Sequence, residues 1–455
     1  MDLNNKKITL VGLGRTSLAL AELLMAKGAQ PIITELKTRE ACGSLAVEAA
    51  NLDVEIEFGG HSTSTFENAD LIVPSPGVPP DNAPIAQAAK QGIPVMGELE
   101  LASRFCTARI IAVTGTNGKT TTTTLIHAML TACGHDAVLA GNNDIPFSTV
   151  VLQEKQPEYI VLEVSSYQLE TVSTFKPWIG VVLNLTNDHL ARHKTMETYA
   201  VVKARIFARQ SQGDTAIINK DDSWVREMSV PKTTRRLGFS IEGPAAIEVK
   251  GDSIYIEEKQ AAALTDITLK GRHNLQNVLA ALAVMHAGGF DWDGVLKGLR
   301  EFQGVAHRIE FVDTINGVAY YNDSKATNLD SLKVALESFD TPVVLIAGGE
   351  GKGSEYTSLN EVIKVRAGGI VVFGADAGKM KEAWGSLTPT IKVDTMQQAV
   401  TTAFEMADKH TIKTVLLSPA CASFDHYKNF EERGMDFKAC VASLKHSHTE
   451  LHPTS

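Results

Sequence analysis

IAVTGTNGKTT, residues 111–121, joins a run of apolar residues to a glycine-flanked loop and then to a threonine-rich segment. The pattern predicts a buried strand over Arg109–Thr114, a tight loop over Gly115–Lys119 and a helix over Thr120–Ala132. Val113, and not a glycine, stands five residues before Gly118, so the spacing departs from that of the standard phosphate-binding loop. The strand before and the helix after are still the context that such a loop requires.

The chemistry of this loop suits a nucleotide phosphate. Its backbone N–H groups can surround phosphate oxygens, Lys119 can reach the β and γ phosphates, and the Thr120 hydroxyl can hold Mg²⁺. An ordinary turn with an exposed lysine is the alternative. The candidate nucleotide-binding residues of the loop are Gly115, Thr116, Asn117, Gly118, Lys119, Thr120 and Thr121.

The same order of strand, turn and helix recurs along the chain. A helix is predicted over Ser17–Lys27, and short apolar runs predict strands at Ile8–Gly12, Pro31–Glu35, Leu71–Val73, Tyr159–Glu163, Ile179–Asn184, Val343–Ala347, Ile370–Phe373 and Val415–Leu417. We therefore predict an α/β protein of three domains, which fits a chain of 455 residues. They are a Rossmann-like domain over 1–97, a central P-loop-type ATPase domain over 98–304 and a second Rossmann-like domain over 305–455.

The composition excludes several classes of protein. The chain has 43 basic and 53 acidic side chains and a formal net charge of −10, whereas a nucleic-acid or anionic-membrane binder needs a basic surface. Its five cysteines form no CxxC pair, so neither a disulfide framework nor a zinc knuckle is indicated. No apolar run reaches the roughly 18 residues of a membrane span. With no targeting segment recognisable, we expect a cytoplasmic monomer without membrane insertion.

GLGRTS, residues 12–17, is nearly a dinucleotide-binding fingerprint, with Ser17 in the place of the third glycine. Glu35 lies 21 residues beyond Gly14, near the expected position of a ribose-binding acid. Three interpretations stay open: a nucleotide diphosphate site, an NAD-type site, and plain packing of a strand on a helix. A proline-rich loop at residues 74–80 follows the third strand, at a usual place for ligand contacts.

The central segment supplies candidate metal ligands. Glu163 ends a buried strand, and Asp188 and His189 follow the next one, so carboxylates and an imidazole lie at strand ends beside the phosphate loop. Taken singly, each is more often a surface or capping residue. Lys203 shares a helix face with Phe207, and taken alone it is interpreted as a solvated helix lysine.

Further polar segments follow along the chain. Asn274 and Asn277 share one face of a predicted helix, so they can either bind a flat polar ligand such as adenine or ribose or form an N-terminal cap. Polar loops at residues 321–328, 347–353 and 418–425 each follow a strand. We expect these loops to meet at one edge of a sheet and to form a site for an anionic small molecule. For each loop, a flexible surface segment is the alternative.

Together these segments resemble the Mur ligase family over essentially the whole chain. GTNGKTT at 115–121 is the family's ATP loop, which folylpolyglutamate synthases share. Three segments narrow the resemblance to the branch that adds D-glutamate: NDSKATN at 322–328, GRHNLQN at 271–277 and LSPACASFDHYKNFEERG at 417–434.

The resemblance implies an ATP-dependent ligase of peptidoglycan precursor synthesis. ATP would phosphorylate the carboxylate of UDP-N-acetylmuramoyl-L-alanine, and the amine of D-glutamate would attack the resulting acyl phosphate through a tetrahedral intermediate. Phosphorylation supplies the leaving group that a carboxylate lacks. Two Mg²⁺ ions and the lysines would offset the charge on the transferring phosphoryl group.

The resemblance also implies a role for each matching residue. Lys203 would be carbamylated by CO₂, which turns a cation into a bidentate oxygen ligand and reverses its interpretation as a solvated lysine. The catalytic residues would be Lys119, His189 and Lys203, and the metal ligands Thr120, Glu163, His189 and Lys203. The nucleotide would also contact Asn274, Asn277, Arg308, Asp323 and Lys325. The UDP substrate would contact Arg15, Thr16, Ser75, Asn142, Ser165, Gln168 and His189, and D-glutamate would contact Thr327, Lys352, Ser423 and Phe424.

Three positions depart from the family's pattern. Asn143-Asp144 stands where the family usually has Ile-Gly, and Ala191 stands where an aspartate is common. Glu35-Leu36-Lys37 replaces Asp-Thr-Arg or a similar run after the second strand, so the uracil and diphosphate contacts there are not carried over.

Other functions remain as alternatives. An NAD-dependent oxidoreductase would use the first domain, but Ser17 and the second nucleotide loop weigh against it. A nucleotide-regulated sensor would bind ATP without releasing phosphate. Another Mur ligase or a folylpolyglutamate synthase is a closer alternative, and the segment around Ser423 weighs against both.

Overall fold

The computed structural model describes residues 1–79, 81–142, 145–188, 190–269, 271–351, 353 and 355–451, the side chains of Ala191, Asp330 and residues 446–451 excepted. The chain folds into two compact units. One comprises Met1–Ile267 and His273–Phe302, and the other Thr268–Arg272 and the chain from Gln303 onward.

The first unit begins with a parallel sheet flanked by helices. Its strands are β1 (Lys7–Val11), β2 (Gln30–Glu35), β3 (Glu55–Phe58) and β4 (Leu71–Pro74), and its helices are α1 (Arg15–Ala26), α2 (Ser44–Asn51), α3 (Thr63–Glu67) and α4 (Ala83–Lys90). The strands lie in the order β3-β2-β1-β4. Ile8 and Leu10 on one face of β1 and Thr9 on the other are all buried, as expected for a strand that is covered on both faces.

A second, larger sheet follows in the same unit, after the short helix α5 (Glu98–Ser103). Its strands are β5 (Arg109–Thr114), β6 (Ala137–Gly141), β7 (Tyr159–Glu163), β8 (Ile179–Val182), β9 (Thr215–Asn219), β10 (Arg235–Ser240), β11 (Ile247–Lys250), β12 (Ser253–Ile256) and β13 (Lys259–Ala263). They lie in the order β13-β12-β11-β10-β9-β8-β5-β7-β6. The pairs from β6 to β11 are parallel, and the pairs β11–β12 and β12–β13 are antiparallel.

This part of the unit also contains helices. They are α6 (Lys119–Ala132), α7 (Phe147–Val151), α8 (Ser166–Leu169), α9 (Leu190–His193), α10 (Met196–Ala204), α11 (Ser223–Arg226), α12 (Arg272–Gly288) and α13 (Trp292–Glu301). Glycines let α13 approach α6 closely, because a Cβ atom at Gly298 would lie 2.7 Å from the Cα of Met129. The helix that follows the phosphate loop therefore packs against the last helix of the unit.

Helix α5 is tied to the segment before β8 by the buried carboxylate of Glu100. Glu100 accepts hydrogen bonds from the backbone N–H groups of Ser173, Thr174 and Phe175, and Arg104 donates to it at 2.8 Å. These donors lower the pKa of Glu100 to about 2, although burial opposes them. A single apolar core extends from the first sheet through Leu99 to the second.

The second unit contains one more α/β sheet. Its strands are β14 (Glu310–Ile315), β15 (Val318–Asn322), β16 (Val343–Gly348), β17 (Ala367–Phe373), β18 (Thr390–Lys392) and β19 (Thr414–Leu417). Its helices are α14 (Leu329–Glu337), α15 (Asn360–Arg366), α16 (Ala377–Trp384), α17 (Met396–Lys409) and α18 (Phe430–Leu451). The order β14-β15-β19-β16-β17-β18 is parallel except for the β14–β15 hairpin, so five carboxyl ends face the same edge.

The structure confirms each predicted strand and corrects several bounds. Helix α6 begins at Lys119 rather than Thr120. Strand β8 ends at Val182 rather than Asn184, because Asn184 turns toward the phosphate loop and its side chain exchanges two hydrogen bonds with the backbone of Asn117. All five cysteines are free. No helix within the described residues is both long enough and apolar enough to span a bilayer.

Candidate active site

The phosphate loop connects β5 to α6. Gly118 has a positive φ of 84° and precedes the first residue of the helix, a conformation that glycine adopts without strain. The Lys119 ammonium folds back over the loop and donates to the carbonyl oxygens of Gly115 (3.0 Å) and Thr116 (2.8 Å). Lys119 therefore stabilises the loop by two hydrogen bonds, and the N-terminus of α6 lies beside the loop.

A carboxylate lies against the first turn of α6. Glu163, at the end of the neighbouring strand β7, is 4% exposed and accepts a hydrogen bond from the Thr120 hydroxyl at 2.7 Å. Its second oxygen accepts from the side-chain amide of Asn142 at 3.0 Å. The structure thus brings together Thr120 and Glu163, which we expected to be metal ligands, with Asn142, which we expected to bind substrate.

Lys203 is buried, so its interpretation as a solvated lysine, when taken alone, is wrong. Only 1% of the residue is exposed, and its ammonium donates to the Thr114 hydroxyl (3.2 Å) and the Gly115 carbonyl (3.0 Å). Burial lowers the pKa of Lys203 well below its usual range, and the positive charge of Lys119 lowers it further. The environment therefore favours the neutral amine at the base of the phosphate loop.

Tyr199, whose ring lies beside Lys203, and His193, which stacks on Tyr199, were not predicted. Tyr199 is fully buried; its hydroxyl lies 3.2 Å from the Thr116 hydroxyl, and burial raises the pKa of Tyr199 to about 12. His193 stacks on the Tyr199 ring with centroids 5.0 Å apart, and its Nε2 lies 2.9 Å from the Ser166 hydroxyl. Tyr199 precedes Lys203 by four residues, so helical spacing was a signal that pointed to it.

Asn277 packs against the phosphate loop. A Cβ atom at Gly118 would lie 2.2 Å from its side-chain oxygen, and its amide nitrogen donates to Asn274 at 3.2 Å. Helix α12 begins at Arg272, so Asn277 lies in the second turn, beyond the positions that an N-terminal cap occupies. The structure therefore disfavours the interpretation of Asn277 as part of an N-terminal cap.

The turn after β1 is closed by its own side chains. Glu35 accepts from the backbone N–H groups of Leu13 (2.7 Å) and Lys37 (3.0 Å), so the acid that an NAD site would offer to a ribose is bonded to the protein. Ser75 donates to the carbonyl oxygen of Gly12 at 3.2 Å. Arg15 and Thr16 form the start of α1 next to this turn.

Ser75 and Gln168 line the same small cleft. Arg192 lines it too, pairs with Glu170 at 2.6 Å and donates to the carbonyl oxygen of Val78 at 3.3 Å. Ser165 and Gln168 form a capping box at the start of α8, in which the backbone N–H of Ser165 donates to the Gln168 side chain at 2.9 Å. The loop after β4 of the first sheet and helices that accompany the second sheet therefore meet at this cleft.

In the second unit, Asp323 lies at the carboxyl end of β15. It is 5% exposed and accepts from the Ser418 hydroxyl (2.8 Å) and the backbone N–H of Ile309 (3.2 Å). Burial raises the pKa of Asp323 to about 7, although the Ser418 hydrogen bond and the charge of Arg308 oppose it. Lys325 lies two residues further on, with its ammonium 5.5 Å from the ring centre of Phe430.

The three polar loops meet at one edge of this sheet, as predicted. The backbones of Glu350 and Ala422 exchange two hydrogen bonds, of 2.9 and 3.1 Å, and the N–H of Gly348 donates to Pro419 at 3.0 Å. Ser423 is buried, whereas Phe424 is 70% exposed beside it. Thr327 lies in the first of these loops, just before α14.

Arg433 was not among the predicted site residues. It is fully buried, and its guanidinium donates to the backbone oxygens of Ser324 (2.8 Å), Cys421 (3.1 Å) and Ala422 (3.3 Å) and to the Ser324 hydroxyl. It also donates to the carbonyl oxygen of Gly348 at 3.5 Å, so it contacts all three loops. Arg433 belongs to the segment at 417–434 that carries the family resemblance. Its spacing in that segment does not distinguish it from the charged residues next to it.

Some predicted positions lie outside the described residues. They are His189, Lys352 and the departures Asn143 and Asp144; for Ala191 only the backbone is described. Among the residues that are described, no group of three histidine, cysteine or acidic side chains is arranged to hold a metal ion.

Three domain models of one family match the chain. The Mur ligase MurD-like N-terminal domain matches residues 6–97, the Mur ligase middle domain matches 113–285, and the Mur ligase glutamate ligase domain matches 307–421. Similar proteins match it from end to end. The UDP-N-acetylmuramoylalanine–D-glutamate ligase of Geotalea uraniireducens is 42% identical, over 98% of this chain and 99% of that one. The ligase of the same name from Desulfosudis oleivorans is 41% identical, over 98% of each chain.

Solved structures support the same fold. A UDP-N-acetylmuramate-alanine ligase from Thermotoga maritima has a TM-score of 0.59 and 19% identity, over 97% of this chain and all of that one. A pseudomurein peptide ligase type C from Methanothermus fervidus has a TM-score of 0.56 and 17% identity, over 97% of this chain and all of that one. At these identities the likeness concerns the fold alone.

Proposed function

Because this chain belongs to the Mur ligase family, we propose that it joins D-glutamate to UDP-N-acetylmuramoyl-L-alanine and converts ATP to ADP and phosphate. Full-length relatives at 42% and 41% identity carry the name of that ligase. The structural observation that supports it best is the phosphate loop, whose Thr120 contacts the buried carboxylate of Glu163 and whose Gly115 contacts the buried amine of Lys203.

The first step transfers the γ-phosphoryl group. The loop N–H groups and Lys119 hold the β and γ phosphates, and a carboxylate oxygen of the UDP substrate attacks the γ phosphorus as ADP leaves. In this structure the Lys119 ammonium donates to Gly115 and Thr116, so phosphate oxygens replace two neutral carbonyl acceptors when ATP binds. That exchange favours binding, because a hydrogen bond between two charged groups is the stronger one.

The residues around Thr120 fit Mg²⁺. A hydroxyl and a carboxylate 2.7 Å apart are hard oxygen donors, and Mg²⁺ usually takes only one or two protein ligands together with phosphates and water. Thr120 and Glu163 would hold one ion, and His189 would contribute to a second. When bound, Mg²⁺ neutralises charge on the transferring phosphoryl group.

We propose that Lys203 is carbamylated by CO₂. A lysine amine reacts with CO₂ in its neutral form, which burial favours here. Carbamylation replaces the positive charge of a protonated lysine by a negative one, which suits a position beside Mg²⁺. Tyr199, packed against both Thr116 and Lys203, would keep the carbamate oriented.

The second step forms the amide bond. The amine of D-glutamate attacks the carbonyl carbon of the acyl phosphate, the tetrahedral intermediate collapses, and phosphate leaves with the electron pair of the broken C–O bond. Thr327, Lys352, Ser423 and Phe424 are proposed to hold D-glutamate, and Asn274, Asn277, Arg308, Asp323 and Lys325 the nucleotide. Arg15, Thr16, Ser75, Asn142, Ser165, Gln168 and His189 are proposed to hold the UDP substrate.

A coupled phosphate-release assay tests the function. With ATP, Mg²⁺ and UDP-N-acetylmuramoyl-L-alanine present, we expect phosphate release only when D-glutamate is added, and a product heavier than the UDP substrate by one glutamyl residue. Turnover with another amino acid in place of D-glutamate would refute the assignment. Size-exclusion chromatography with light scattering tests the monomer that we propose, and fractionation tests its cytoplasmic location.

A further inference from the structure

Three buried side chains lie behind the loops that we assign to D-glutamate. Tyr356, Asp376 and Cys421, here called the Tyr356 cluster, are 5%, 7% and 0% exposed. The Tyr356 hydroxyl donates to an Asp376 carboxylate oxygen at 2.7 Å and lies 3.2 Å from the Cys421 sulfur. The proposed mechanism uses none of the three.

The cluster contacts the glycine-rich loop after β16. A Cβ atom at Gly351 would lie 1.9 Å from the same Asp376 oxygen and 2.5 Å from the Tyr356 hydroxyl, so the loop backbone is pressed against this hydrogen bond. The N–H of Asp376 also donates to the Gly349 carbonyl at 3.0 Å. Lys352, which we assign to a D-glutamate carboxylate, is the next residue after Gly351.

The cluster also reaches the loop after β19. Cys421 precedes Ala422, whose backbone exchanges two hydrogen bonds with Glu350, and Ser423 and Phe424 follow. The adjoining turn is tied to this loop as well, because the Asp425 carboxylate accepts from the N–H of Ala375 at 2.8 Å. One hydrogen-bonded group therefore supports both loops from the side of the protein core.

Tyr356 is itself held rigidly. Its ring packs edge-on against Trp384, with centroids 5.7 Å apart, and its backbone oxygen accepts from the Trp384 indole N–H at 3.0 Å. Trp384 is fully buried, whereas the Lys379 partner of Asp376 is a mostly exposed side chain. Both loops are therefore held in place by the contact of Tyr356 with the buried Trp384 and not by the exposed Lys379.

We propose that Tyr356 and Asp376 are positioning residues for the amino dicarboxylate substrate, an inference that rests on the proposed function. They set the spacing between the loop that contains Gly349 and Gly351 and the loop that contains Ser423 and Phe424. Neither side chain contacts the reacting atoms, so the effect should appear in the binding of D-glutamate and not in phosphoryl transfer.

Tyr356→Phe tests this by removing only the hydroxyl. We expect the KM for D-glutamate to rise about tenfold, the size of a lost hydrogen bond to a charged group. The KM values for ATP and for the UDP substrate, and kcat at saturating D-glutamate, should stay within about twofold. Asp376→Asn keeps the shape of the side chain and should shift the same KM in the same direction; it decides the matter if Tyr356→Phe does not fold.

Tyr320→Phe is the matched control. Tyr320 is fully buried in strand β15 of the same unit, and its hydroxyl has no hydrogen-bond partner among the described residues, so its loss should leave every KM unchanged. An unchanged KM for D-glutamate in folded Tyr356→Phe, or an equal rise for all three substrates, would overturn the proposal. A wild-type enzyme that gives no D-glutamate-dependent phosphate release would instead refute the proposed function, and this inference with it.

Discussion

The side-chain nitrogen of Lys203 lies 3.0 Å from the carbonyl oxygen of Gly115, the first residue of the phosphate loop. Gly115 also accepts a hydrogen bond from Lys119, so two lysine nitrogens share one backbone oxygen. Burial lowers the pKa of Lys203, and the positive charge of Lys119 lowers it further, so Lys203 loses its proton more readily. Burying an amine at this position lowers the stability of the fold, and the neutral amine is chemically reactive.

Lys203→Met should abolish activity and stabilise the fold. The substitution removes a buried amine whose pKa is lowered, and Lys119 still satisfies the Gly115 carbonyl. We expect the free energy of unfolding to rise by about 1–2 kcal/mol. Urea denaturation measures it, with Lys194→Met on the surface as the control; a destabilised variant would contradict the expectation. Added short carboxylates should partly restore the activity of Lys203→Ala.

Glu163→Gln should lower activity at least about a hundredfold and raise the Mg²⁺ concentration needed for half-maximal rate. The amide keeps the shape but removes the negative charge that faces the Thr120 hydroxyl. Initial rates over a range of Mg²⁺ concentrations measure both effects. Glu158→Gln, an exposed carboxylate just before the same strand, should behave like the wild type. An unaltered Mg²⁺ dependence in Glu163→Gln would exclude Glu163 as a ligand.

Glu100→Gln should destabilise the first unit in neutral solution. Its carboxylate accepts from three consecutive backbone N–H groups and from Arg104, and loss of these charge-assisted bonds costs about 2–4 kcal/mol. The folded-state pKa is about 2, below the ordinary value of 4.5, so this contribution is complete above pH 4.5 and is lost as the pH falls toward 2. The difference between variant and wild type should therefore shrink in acid, as denaturation between pH 2 and pH 7 would measure. A constant difference would be the contrary result.

For Asp323→Asn we expect a pH dependence of the unfolding free energy that is opposite in sign to that of Glu100→Gln. The folded-state pKa of about 7 lies above the ordinary 3.8, so the folded state binds the proton more tightly than the unfolded state does. The contribution is complete below about pH 4 and is lost as the pH rises through 7, by up to about 1.4 kcal/mol per pH unit. The wild type should therefore lose stability relative to Asp323→Asn between pH 4 and pH 7, measured by denaturation without ligand. If the unfolding free energies of the wild type and the variant changed in parallel with pH, the raised pKa of Asp323 would be disproved.

The sequence predicted the phosphate loop well because its signal is local. A buried strand, two glycines and a helix lie within one continuous segment, and the structure places them with a one-residue correction at Lys119. The meeting of the three loops in the second unit was also predictable, because parallel strands bring their carboxyl ends to one edge.

The burial of Lys203 and Arg433 could not be read from local patterns. The hydroxyl that contacts Lys203 belongs to Thr114, 89 residues earlier, and Ser324 lies 109 residues before Arg433. Helical spacing tells which residues share a face, but it does not tell what covers that face. For Lys203 only the family resemblance corrected the first interpretation, and for Arg433 nothing did.

The close packing of α13 on α6 affects how the protein is made. The helix that carries Lys119 and Thr120 packs against Gly294 and Gly298, and a Cβ atom at Gly294 would lie 2.9 Å from the Cα of Cys133. A ribosome translates the phosphate loop more than 150 residues before it translates these glycines. The nascent chain therefore cannot complete the support of its nucleotide site until residue 301 has emerged.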